Sequence, residues 1–123
     1  MKHVFDRQIL LALVFLFVPA WPLSAADPAS TVFLEQHCFD CHGKDSPRAG
    51  LDLTSLSADL TDAQIFARWV KIHDRIQSGE MPPKPRNRPD TLDASRFLAG
   101  LAEKLTQAEQ DRKSTRLNSS HRT

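Results

Sequence analysis

Apolar residues fall in four stretches with different periods. Ile9 to Val18 is unbroken, and Pro19 and Pro22 follow it at once. Such a run is too short to cross a bilayer, which needs about 20 residues. The second stretch holds Val32, Phe33 and Leu34. It predicts a helix that starts at Asp27-Pro28, with an N-cap and a proline at the first helical position, and ends in Cys38–His42. Gly43 is expected to close it in a left-handed C-cap. Residues 43–60 carry Pro47, Gly50 and many polar side chains and read as loop. Within it, Leu51 and Leu53 share one side of an extended segment, and could cover the edge of a bound group or pack on the core. The clearest helix follows: Thr61 and Gln64 form a capping box, then Ile65, Phe66, Trp69, Val70, Ile72, His73 and Ile76 recur mostly at helical spacing. Gly79 stops it. A last helix begins at Asp90 or Thr91, with Ala94, Phe97, Leu98, Leu101 and Leu105 on one face. Gly100 inside it is expected to allow close approach to the first helix. The fold class is all-α, about three helices with two long connections.

Neither end of the chain belongs to this fold. Residues 1–26 read as a secretory signal peptide: Lys2 and Arg7, the apolar run, then Ser24-Ala25-Ala26 as the cleavage site. An uncleaved anchor is the alternative. Export to the periplasm or an equivalent space follows, with no membrane span after cleavage. At the other end, residues 111–121 resemble the conceptual translation of a sequencing adapter. The alternative is a polar, disordered tail. Both readings leave a domain at 27–110 and set 111–123 aside, and the first implies a longer natural protein. The trimmed ends hold six of the sixteen Lys/Arg and two of the fifteen Asp/Glu. The remaining 84 residues therefore carry a net charge of −3, against +1 for the whole chain, which argues against a nucleic-acid partner. One small domain of this length buries little apolar surface alone. A large apolar cofactor would supply much of the missing core.

The chemistry centres on Cys38-Phe39-Asp40-Cys41-His42, the C-x-x-C-H spacing of covalent c-type haem attachment. Two thiols three positions apart reach the two vinyl groups of one porphyrin, and the next residue delivers an imidazole to the iron. Phe39 and Asp40 are spacers. A zinc site would want four ligands, whereas the chain has two cysteines with His37 nearby. A dithiol enzyme would want a strand before its first cysteine, and none is predicted. Met81, in Gly79-Glu80-Met81-Pro82-Pro83, is the candidate for the second axial position, since the other methionine is the initiator. Two prolines stiffen the chain behind it, and His/Met ligation favours electron transfer. The competing reading is a methionine packed in a turn. His73 is a second possible ligand by type, although a half-exposed helix residue is the plainer reading. Trp69 is expected in the core, where its indole N–H needs a partner, a haem propionate being one option. Lys84, Arg86 and Arg88 form a solvated loop or help a redox partner dock.

Taken together, His37 to Gly43, Gly50-Leu51-Asp52-Leu53, Trp69 to Ile76 and Gly79 to Pro83 resemble the planctomycete-type cytochrome c domain near the N-terminus of large exported proteins. The resemblance spans Phe33 to Leu105. It implies a small class I-like cytochrome c fold around one covalent haem c. Cys38 and Cys41 would be the attachment points, and His42 and Met81 the iron ligands. It implies single-electron transfer with a redox partner protein or a fused downstream domain, and no substrate turnover by these residues alone. Two other classes remain open: a ligand-binding or sensing haem, and a haem-free dithiol or metal-binding module.

Overall fold

The structure, a computed structural model, describes residues 28–45 and 47–120. The expected signal peptide with its expected cleavage site, and the last three residues, lie outside them. Among the described residues there is no strand, and the all-α expectation holds. The order is α1 (Pro28–His37), α2 (Phe39–His42), a 3-10 turn at Arg48–Gly50, α3 (Ala63–Gln77) and α4 (Thr91–Ser120).

The first expected helix is two helices. Cys38 sits between them with φ −126° and ψ −40°. Its N–H still donates to the Leu34 carbonyl at 2.9 Å, so α1 runs to the junction unbroken. Its carbonyl then accepts from both Cys41 N–H (3.1 Å) and His42 N–H (2.9 Å), which tightens the chain into α2. Gly43 does not adopt the left-handed cap. It is extended, with φ −94° and ψ 174°. Glycine is needed there for space, because a Cβ would lie 2.6 Å from the Phe39 carbonyl oxygen. Positive φ occurs instead at Ala49 (55°) and Gly50 (70°), where the loop reverses.

The cap of α3 is Asp62, not Thr61. The Asp62 carboxylate accepts from the N–H groups of Gln64 (2.7 Å) and Ile65 (3.0 Å), which are orphan donors of the first turn. Thr61 turns away and donates its hydroxyl to Asp59 at 2.6 Å. Gly79, with φ 72°, ends the element as expected. At the start of α4, Asp90 accepts from the N–H of Asp93 at 2.9 Å. This helix passes Gln110 without a break and reaches Ser120, so the segment set aside as a tail is helical as far as it is described. The guanidinium of Arg112 lies 4.4 Å from the centre of the Phe66 ring. Nothing lies within 4 Å of a Cβ built at Gly100, so the expected close approach to the first helix is absent.

The core joins α1, the 51–53 segment, α3 and α4 through Phe33, Leu34, Leu53, Ile72, Phe97, Leu101 and Leu105. The α4 contribution comes at every fourth residue, which keeps it on one stripe. Phe33 and Phe97 stack with ring centres 4.2 Å apart and planes 11° apart, fixing α1 against α4. These seven side chains are 6–9% exposed, and no large side chain among the described residues is fully covered.

Candidate functional site

Beside this thin core lies a cavity of about 790 Å³. That falls within the roughly 300–1,000 Å³ typical of small-molecule and cofactor sites. Three core residues, Phe33, Leu53 and Ile72, turn one side to the core and the other to the cavity. The α1–α2 junction supplies Cys38, Cys41 and His42, and the loop after α3 supplies Met81. All four candidate residues therefore line one cavity, although the sequence separates them by up to 43 positions. His73 is not in the lining. Its Nδ1 is paired with Asp74 at 3.1 Å. The Trp69 indole N–H donates to the Ser57 carbonyl at 2.9 Å, so its partner is backbone rather than a cofactor.

Local geometry explains how each wall is held. The His42 carbonyl accepts from the Leu53 N–H at 2.7 Å, which ties the second wall to the histidine. Leu51 and Leu53 both face the cavity, so the two expected uses of this pair, covering the site and packing on the core, meet in Leu53. Met81 is 37% exposed. Its N–H donates to the Arg75 carbonyl at 2.9 Å. Arg88 Nη2 donates to the Gly79 carbonyl at 2.7 Å, and Arg75 is ion-paired with Glu80. The methionine loop is thus braced on both sides. Arg88 is part of that brace and Arg86 lines the cavity. Only Lys84 keeps the purely solvated role considered for all three.

Burial pushes the Cys38 thiol up to about 11, with the neighbouring Cys41 adding to the shift. A thiol held protonated is the reverse of what a dithiol oxidoreductase needs, since its nucleophile is a thiolate with a lowered pKa. Both cysteines are free. Among the described residues, no group of three His, Cys, Asp or Glu side chains is arranged to hold a metal ion. The raised thiol pKa does not favour a dithiol oxidoreductase.

The residues fit a covalently held haem. The His42 Nδ1 atom is buried with no hydrogen-bond partner. The imidazole lines the same cavity as both thiols. Two thiols, an imidazole and a thioether around a largely apolar cavity are the donor set that a His/Met c-type site requires. Sequence reasoning missed the α3 wall, made by Arg68, Lys71, Ile72, Arg75 and Ile76. Its signal was present, because positions 68, 72, 75 and 76 repeat with helical period.

An all-helical domain with C-x-x-C-H on one wall of a cofactor-sized cavity defines the cytochrome c class. A family model for planctomycete cytochrome C matches residues 38–85. The matched stretch runs from the first cysteine through the methionine loop, and the similarity points at the coarse level to haem-based electron transfer. No curated protein and no solved structure matches the chain. Among the described residues, no helix is long and apolar enough to cross a membrane.

Proposed function

We propose that this domain is a monohaem c-type cytochrome that passes single electrons outside the cytoplasmic membrane. Cys38 and Cys41 would hold the haem by thioether bonds, and His42 and Met81 would be its iron ligands. One observation carries the proposal: these four residues, and no further histidine than His37, line a single cavity. When bound, the haem supplies the one-electron couple. The chain supplies the rest. The α1–α2 junction sets the two thiols and the imidazole on one wall. The braced 79–88 loop presents the thioether. Phe33, Leu51, Leu53, Ile72 and Ile76 keep water from the interior. Residues 1–26 direct export. The domain serves a larger redox protein that continues beyond Gln110, and meets its partner at the high effective concentration a tether provides. A net charge of −3 on residues 27–110 suits that arrangement, because a tethered carrier needs little electrostatic steering.

The test is a redox titration of the exported protein and its Met81→Ala variant. The wild type should titrate as one reversible one-electron centre and resist carbon monoxide. The variant should lose the sulfur–iron charge-transfer band, titrate at lower potential and bind carbon monoxide. An unchanged spectrum and potential would remove Met81 from the iron.

A further inference from the structure

The α3 wall of the cavity is divided lengthwise. At 100° per residue, Lys71, Arg75 and Arg68 occupy one edge of the helix face, and Ile72 and Ile76 the other. Of the charged side chains lining the cavity, Arg68, Lys71, Arg75 and Arg86 are basic and Asp40 alone is acidic. This runs against the net −3 of residues 27–110, so the positive charge is concentrated here. Arg75 is engaged with Glu80. Arg68 and Lys71 have no acidic partner among the described residues. They stand one helical turn apart and beside an apolar strip.

We infer that the Arg68–Lys71 edge of α3 is the carboxylate subsite of the cavity, binding the propionate groups of the haem while Ile72 and Ile76 pack on its apolar plane. The inference rests on the haem reading above. Protohaem carries its vinyl groups and its propionates on opposite edges. A ring tethered through Cys38 and Cys41 turns its carboxylates away from the α1–α2 wall. The α3 wall belongs to a different element, packed on α4, and offers two cations in register. Guanidinium and ammonium groups bind carboxylates through charge-assisted hydrogen bonds. Arg68 is suited to bidentate contact, and Lys71 acts as a point charge. The two cations also disfavour the oxidised haem, which carries one more positive charge.

The experiment uses the full chain produced with a haem-attachment system, as wild type, Arg68→Gln, Lys71→Gln and the double variant, with Arg96→Gln on α4 as a charge control outside the cavity. Midpoint potential and the propionate-bending band of the resonance Raman spectrum are read on each. Each α3 variant should keep its covalent haem, shift the band and lose about 3- to 10-fold in the reduction equilibrium constant, tenfold being 59 mV for one electron. Arg96→Gln should leave both readouts in place. Should the double variant not incorporate haem, the charge-keeping pair Arg68→Lys and Lys71→Arg should restore it, and their failure to do so overturns the inference. A haem-loaded double variant with unchanged band and potential overturns it too. So does one changed only in its rate with ferricyanide, which would make these cations a docking patch. A wild-type protein lacking covalent haem is a distinct result, and overturns the haem reading together with this subsite.

Discussion

The stack of Phe33 on Phe97 is the contact that holds the haem-motif end of the chain against α4, and its energy can be isolated. Both rings are buried, at 7% and 6% exposure, with centres 4.2 Å apart. Truncation to alanine would cost about 3–5 kcal/mol. At roughly 0.05–0.15 kcal/mol per residue a domain of this size has only about 4–13 kcal/mol of stability, so alanine risks unfolding it. Leucine keeps most of the apolar surface and removes the ring-on-ring contact. Phe33→Leu, Phe97→Leu and the double variant form a thermodynamic cycle. The coupling should be about 0.5–1.5 kcal/mol, the value of an aromatic pair beyond its area. Urea unfolding followed by far-UV circular dichroism supplies the four free energies. Each single variant should also lower Tm by several degrees, since 1 kcal/mol moves a domain of this size by about 4–8 °C. Strictly additive effects, with coupling under about 0.3 kcal/mol, would refute the packing of α1 on α4 described here. A coupling that vanishes only in the haem-free protein would show instead that the cofactor organises the contact.

Three further outcomes are expected. Gly43→Ala should destabilise the fold by about 1–3 kcal/mol, as overpacking does, because its Cβ would meet the Phe39 carbonyl at 2.6 Å; urea midpoints check this. Arg88→Ala removes the donor to the Gly79 carbonyl, a loss of about 1 kcal/mol, and should let cyanide bind the ferric protein about 5-fold more tightly by loosening the Met81 loop. Hydrogen bonds from Thr54 hold Asp52 below the usual carboxylate value of 3.8, bonds from Thr61 do so for Asp59, and the Asp93 N–H leads for Asp90. A depressed folded pKa gives stability that is present above the ordinary value and lost as pH falls through the folded one. Stability should therefore decline below about pH 4, and Asp52→Asn should flatten that decline when urea midpoints are measured against pH.

Much of this was legible because the signals were local. C-x-x-C-H depends on spacing alone, and α3 shows its period and its Gly79 stop in sequence. Met81 stands out in the sequence as the only internal methionine, on a proline-stiffened loop, and the structure places it in the cavity lining. The errors concern choices between neighbours and contacts across the fold. Thr61 and Asp62 are both good caps, and only the turn made by Asp59 decides that Thr61 is occupied elsewhere. Helix ends commonly need a left-handed residue, which is the role the pattern predicts for Gly43, whereas its reason is a carbonyl one turn back. The break at Cys38 leaves no trace in residue type. The cationic edge of α3 carries no signal in sequence, since exposed Arg and Lys are ordinary on any helix, and only the cavity shows what they face.

The measurement that bears most directly on the central claim is the intact mass of the exported protein under denaturing conditions, after extraction with acidic organic solvent. The mass should exceed that of the mature chain by one haem, the pigment should stay with the protein, and Cys38→Ala or Cys41→Ala should each weaken or abolish stable incorporation. Haem that leaves freely into the solvent, or a mass equal to the bare chain after production with a haem-attachment system, would contradict it.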